Sequence, residues 1–219
     1  MKGFFSYVRR NPALGAGLGI LIILVLFTSV GRLFVDTKGA YPLFTIPNQP
    51  PGAGHPFGTD AQGRDLLAVM VVGTGMTLQI GAISGAIGLG IGIVLGFVSG
   101  YMGGSLIDTI ITAFIDVYMS IPSFLILIIV STTFSKITLG ITEMGIIVAL
   151  VSWAGSARSI RAQVLTMRER PFVMMAKLSG MRGLEIVMKE LVPNLLPFLV
   201  MSLSQAVYGG IMASLGLEA

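Results

Sequence analysis

The residues most able to do chemistry fall in two groups. The first is His55 with Asp60, Arg64 and Asp65. A histidine beside carboxylates can act as an oriented general base, but a hydrolytic site also needs a nucleophile within its reach. No such nucleophile accompanies these four, so they read as an ion-paired turn that anchors a loop. The second group is Asp108 and Asp116, eight residues apart in an otherwise apolar stretch. That spacing places both on nearly one helix face, and a carboxylate inside a membrane is by default suspected of carrying a proton or an ion. Pairing with Arg158 or Arg161 is the favoured reading for Asp116, and capping a helix after Gly103-Gly104 for Asp108. Gly88-Leu89-Gly90-Ile91-Gly92 could be taken for a phosphate-cradling loop. It lacks the strand-turn-helix context and the complete motif that such loops require. The chain has no cysteine and one histidine, which removes thiolate chemistry and any multi-histidine metal site. No catalytic residue, no metal site and no directly bound cofactor is therefore expected.

The elements that carry these residues belong to a membrane. Of 219 residues, 54% are hydrophobic and 11% charged, with a mean hydropathy of +0.90. A soluble domain carries about 25% charge to cover its surface. No basic run with interleaved aromatics points to nucleic acid. Five apolar stretches are each long enough to span lipid: Ala13–Val30, Met76–Val98, Ile107–Val130, Gly145–Val164 and Leu195–Leu217. Pro122 is expected to kink or interrupt the third. The fold class is an all-α membrane protein, a polytopic helical bundle.

Charge placement orients the bundle. With the amino terminus in the cytoplasm, Lys2, Arg9, Arg10, Arg158, Arg161, Arg168, Arg170, Lys177, Arg182 and Lys189 lie inside, ten of 14 basic residues. Residues 1–12 are then a cytoplasmic segment, 13–33 the first transmembrane helix, 34–72 an external loop rich in Pro and Gly, and 73–219 the core. In the second span Ser84, Gly88, Gly92, Gly96 and Gly100 recur every four residues, with Gly81 and Gly85 in a parallel row. A stripe without side chains predicts a tight helix contact.

Between the fourth and fifth spans, within residues 168–194, Pro171 suits a helix's first turn and Gly180 its left-handed stop. The short helix so bracketed puts Phe172, Met175, Ala176 and Ser179 on one apolar or small face, with Val173 and Lys177 pointing elsewhere. Such a face outside the bilayer must lie on lipid headgroups or dock into a partner's groove.

The segment resembles the EAA loop of binding-protein-dependent ABC importer permeases, with Ala176, Gly180 and Leu191-Val192-Pro193-Asn194 at matching places. The stretch from His55 through Phe57, Gly58, Asp60, Gly63, Arg64 and Asp65 to Leu67 is similar to the HPFGTD-x-x-GRD-x-L signature of the dipeptide/oligopeptide/nickel subfamily, C-type partner. Gly100-Tyr101-Met102-Gly103-Gly104 with Asp108, and Asp116 with Ser120-Ile121-Pro122, match it too. The resemblance covers nearly the whole chain after residue 10. It implies a type I importer permease in the inner (plasma) membrane, a second permease subunit forming a heterodimer, two ATP-binding subunits carrying ATP and Mg, and an external substrate-binding protein. It implies peptides as the leading cargo, with nickel and oligosaccharides carried by related permeases; members of the family generally have six spans, continuing past the equivalent of Ala219, against about five in this sequence. It further implies that Pro171, Phe172, Val173, Met175, Ala176, Lys177, Gly180 and Pro193 couple to the ATPase. Where the family has Glu then Ala, this chain has Met174 and Met175, which removes a charge from that helix. The alternatives are a secondary transporter, which would use its own ionisable groups and an internal repeat, and a non-transporting assembly subunit. No second copy of the glycine stripe or of the 168–180 segment is visible.

Overall fold

A computed structural model describes residues 12–134 and 139–218. The expectations on Lys2, Arg9, Arg10 and Ala219 fall outside those residues. The chain divides into two compact units, Met1–Thr77 and Leu78–Ala219.

In the first unit, α1 (Pro12–Phe34) leads through a 3-10 turn at Thr37–Ala40 and an irregular loop to the start of α2 (Leu66–Tyr101). Gly31 lies against Val71, where a Cβ would come 2.8 Å from Val71 Cγ2. Beside it the Thr28 hydroxyl donates to the Val71 carbonyl at 2.8 Å, which satisfies a buried polar group. Ile20, Ile22, Ile23 and Leu26 are exposed, as befits an apolar helix whose solvent is lipid. The helical part of α2 reaches back to Leu66, earlier than the Met76 start expected of the second span. Residues 66–72, assigned to the loop by sequence, are thus helical, because the Asp65 carboxylate accepts from the first-turn N–H groups of Leu67 and Ala68. At 36 residues α2 is about 54 Å long by helical rise, more than lipid alone requires.

The second unit holds the rest of α2 and six further helices: α3 (Leu106–Ser120), α4 (Ser123–Phe134), α5 (Ile141–Arg168), α6 (Pro171–Leu178), α7 (Gly183–Ile186) and α8 (Val192–Glu218). The axes of α3 and α4 diverge by 73° at Ile121-Pro122, where the proline ring breaks the ladder as expected. Helix α7 runs into α8 through a π turn at Val187–Leu191, so the fifth apolar stretch begins at Gly183 and not at Leu195. Pro193 supplies no N–H to the carbonyl four residues back, and the turn widens to let the Val192 N–H reach the Val187 carbonyl. The Asn194 side chain donates to the Glu190 carbonyl at 2.7 Å, pairing another group in that turn.

Among the described residues three helices are long and apolar enough to cross a membrane, Leu14–Phe34, Leu66–Tyr101 and Gly183–Ser214, or four if the bent α3–α4 pair is one span. The expected Gly145–Val164 span lies in α5, which is long enough but less apolar. Its Val148, Ala149, Ala157, Ile160 and Val164 are fully buried, so this helix is wrapped by protein and its arginines meet protein partners.

The glycine stripe makes the contact predicted for it. A Cβ on Gly88 would lie 3.0 Å from Ser152 Oγ, on Gly92 2.7 Å from Ser156 Cβ, on Gly96 2.8 Å from Ile160 Cβ, and on Gly100 2.7 Å from Val164 Cβ. All four partners are on α5. The parallel row seats α8: a Cβ on Gly81 would meet Ile211 at 2.6 Å and on Gly85 Val207 at 2.6 Å. Gly90 faces open space. Around the lower half of this contact Phe97, Ile160, Val164, Val173, Ile186, Leu191, Leu195 and Leu199 form one apolar core.

Overpacking a dense contact costs about 1–3 kcal/mol. Gly96→Ala is therefore expected to lower the unfolding midpoint in detergent, whereas Gly90→Ala, at an open helical site, leaves it unchanged or raises it slightly. Equal effects of the two would contradict the packing described.

Candidate functional site

The segment after α5 is built from backbone chemistry first. Pro171 occupies the first turn of α6, where a missing N–H costs nothing. The helix closes with the Met181 N–H on the Ala176 carbonyl at 3.2 Å and the Gly180 N–H on the Lys177 carbonyl at 3.0 Å. This is a Schellman stop, and Gly180 sits in it at φ +79, the left-handed region where glycine alone is unstrained. Helix and stop are as the sequence predicts; the facing is not. Val173 is fully buried and Ala176 nearly so, both in the core with Ile186 and Leu191. Phe172, Met174, Met175 and Leu178 are exposed, as is Lys177. Ala176 thus leaves the outward face and Val173 becomes the anchor. The core below the helix, not the most apolar face, decides which side turns in. Pro193, expected to belong with these residues, lies in the first turn of α8 behind the π turn.

One arginine fastens this segment to α2. Arg168 Nη1 donates to the carbonyls of Tyr101 at 3.0 Å and Gly103 at 3.1 Å, which the end of α2 leaves without helical partners. Its Nε bonds Glu169 at 2.9 Å. Nothing in the sequence singled out Arg168 from its basic neighbours.

Asp108 and Asp116 are both paired. Arg161 meets Asp108 as a fork, Nε to Oδ1 at 2.6 Å and Nη2 to Oδ2 at 2.8 Å. The Gly104 N–H at 2.9 Å and the Thr112 hydroxyl at 3.1 Å complete the shell of this buried carboxylate. Ser105 caps α3 by accepting from the Asp108 N–H. Asp108 therefore staples the start of α3 to α5. Asp116 pairs with Arg158, and both side chains are about half exposed. Trp153 stacks on Phe114 at 5.7 Å beside them.

A polar cavity of about 200 Å³ opens between the middles of α5 and α8. Ser152, Ser156 and Ser159 line it from one helix, and Ser202 and Gln205 from the other. Sequence reading passed over these residues. The signal was three serines spaced four and three apart, hence one hydroxyl face within an apolar helix. Among the described residues no group of three or more His, Asp or Glu side chains is placed to hold a metal ion.

The signature loop forms a self-contained turn. His55 Nδ1 and Asp65 Oδ2 are 2.6 Å apart, and Arg64 Nε donates to Asp60 Oδ2 at 2.6 Å. Asp60 Oδ1 also accepts from the N–H groups of Gln62 and Arg64. The Thr59 hydroxyl donates to the Ile46 carbonyl at 2.7 Å and accepts from the Gln49 N–H at 2.8 Å. Gly58 and Gly63 take positive φ, 76 and 73, at the two reversals. Phe57 alone of the signature residues stands out from this network, half exposed. The Arg64 N–H bond, helped by the Arg64 side chain, holds Asp60 below the usual carboxylate range against some desolvation. At Asp65 burial works to raise the value. The hydrogen bonds from His55, Ala68 and Leu67 outweigh it and leave the group below 3.8.

A carboxylate depressed on folding stabilises above its unfolded value, near 3.8, and that stabilisation is lost as pH falls through the folded value. Hydrogen exchange over the loop, corrected for intrinsic rates, is expected to stay slow down to pH 3.8 and to accelerate below it. Asp65→Asn should exchange faster at neutral pH and lose much of that acid step. A variant as protected as the parent would contradict the anchoring role.

Comparison with known proteins now places the chain. Residues 92–219 match the family described as binding-protein-dependent transport system inner membrane component. The chain is similar to the oligopeptide transport system permease protein OppC of Mycobacterium tuberculosis, 31% identical across 95% of this chain and 71% of that protein. It is similar to OppC of Salmonella typhimurium, 35% identical across 87% of this chain and 63% of that protein. The dipeptide transport system permease protein DppC of Bacillus subtilis is 30% identical across 94% and 63%. With a matching model over more than half its length and relatives along nearly all of it, this multi-pass helical chain belongs to the binding-protein-dependent transport system inner membrane components, a family of permeases.

Proposed function

We propose that the chain is one permease subunit of an ATP-driven importer for di- and oligopeptides in the inner (plasma) membrane, with its amino terminus in the cytoplasm. A second permease subunit completes a heterodimer, two ATP-binding subunits hold ATP and Mg, and an external substrate-binding protein delivers the cargo. The names of the relatives, for oligopeptide and dipeptide transport, support the cargo class. The observation that carries the reading is α6. It is a two-turn helix anchored by Val173 and Ala176 whose outer face leaves Phe172, Met174, Met175 and Leu178 uncovered. A flexible methionine surface with one aromatic suits insertion into a groove on a partner. The absence of a carboxylate at Met174 makes that contact depend on apolar fit.

Coupling then follows from mechanics. The ATPase can shift the permease between two arrangements only by holding α6 more tightly in one of them. Force on α6 passes to the core through Val173 and to the end of α2 through Arg168. The glycine-packed helices, dense and without intervening side chains, move as one body.

Phe172→Asp places a charge in that contact. In the assembled importer in proteoliposomes, ATP-dependent peptide uptake is expected to fall by an order of magnitude or more, the loss of an aromatic anchor of about 2 kcal/mol or greater, with membrane insertion intact. Unchanged uptake would overturn the coupling role.

A further inference from the structure

Many hydroxyls within the helices are spent on their own backbone. Ser84, Ser99, Thr109, Thr166, Ser204 and Ser214 each donate to a carbonyl three or four residues back on their own helix, the usual way a membrane helix hides a polar group. Ser202 does not. It is 8% exposed, makes no hydrogen bond among the described residues, and lines the cavity between α5 and α8. Ser156, Ser159 and Gln205, which line the same cavity, are also without partners among the described residues. Of the four, Ser202 is buried, Ser156 half-buried, and Ser159 and Gln205 exposed, so the polar groups step from the interior out to the surface halfway along two helices.

A buried hydroxyl without a protein partner is satisfied by polar contents, which this cavity has room to hold. Its volume of about 200 Å³ suits a short run of water, at about 30 Å³ each, or a segment of one to two amino-acid residues. The lining carries no charge and no aromatic ring. That disfavours a metal cation, which needs anionic or imidazole ligands, and leaves no ring face for a sugar to stack on. Hydroxyls and a carboxamide each donate and accept, which matches the peptide group, a donor and an acceptor side by side. Recognition through such groups ignores the side chains of the cargo.

We infer that the Ser152–Ser159 face of α5 and Ser202 and Gln205 of α8 form a transit subsite that hydrogen-bonds the backbone amides of a passing peptide. This rests on the transport reading above and adds to it the place and chemistry of contact within the spans. Because the site is weak and uncharged, it guides the chain without trapping it.

The chain lacks cysteine, so single cysteines report cleanly. Ser156→Cys, Ser202→Cys and Gln205→Cys are placed in the assembled importer in proteoliposomes and treated with a water-soluble, positively charged methanethiosulfonate. Val200→Cys, 60% exposed and about 200° around α8 from Ser202, is the control. The three sites are expected to react at least tenfold faster than the control. During ATP-driven turnover with the binding protein and a pool of tri- to penta-alanine, their reaction should slow at least threefold. Ser202→Val should lower uptake of the same pool about three- to tenfold, the loss of one hydrogen bond, with ATP hydrolysis retained. Reaction no faster than at Val200 overturns the aqueous cavity. Fast reaction that peptides leave unchanged, in an importer that does take them up, overturns the subsite while the transport reading stands. An intact importer that takes up none of the pool overturns both.

Discussion

One helix approaches two others closely across rows of glycine. Between α2 and α5 a single added methyl group would collide with backbone or Cβ atoms at Gly92, Gly96 and Gly100 alike. Lipid provides no hydrophobic force to press helices together, so contact area at short range must supply the attraction. The parallel row at Gly81 and Gly85 does the same for α8. With α2 gripping both, α5 and α8 are held on one side of a common axis, and the space between their middles is the polar cavity.

Charge works inside this frame as a fastener. An isolated buried carboxylate would be costly, yet Asp108 has a guanidinium fork, a hydroxyl and a backbone N–H around it. It joins the start of α3 to α5. Arg168 joins the far end of α5 to the end of α2 through carbonyls that no helix turn can satisfy. Removing one member of such a set strands the others, which makes these contacts more determining than their number suggests. The Asp116–Arg158 pair is of a different kind, half exposed where Asp108 is buried.

The result is a body with one short helix whose inner side belongs to the core and whose outer side is left uncovered by the described residues. An 8-residue helix is too short to be stable alone. It persists because Val173 is buried and Gly180 closes its end, which leaves the outer residues free for a contact elsewhere.

Much of this was legible in residue order. Proline at 171 and glycine at 180 mark the ends of α6 because one lacks an N–H and the other tolerates positive φ, both local facts. The glycine period announced a close contact, and Pro122 a break, for equally local reasons. An ion pair at Asp116 could be anticipated because a carboxylate in an apolar helix needs a cation, whereas Asp108 read only as a cap. What tertiary structure alone decided was which partner each feature met. Asp108 took Arg161 and Asp116 took Arg158 because of how α3 lies along α5, and Val173 turned inward because the core lies on that side. The polar cavity belongs to this second class: its serines and glutamine stand about 40–50 residues apart in the chain, and only helix packing sets their unspent hydrogen bonds facing one space.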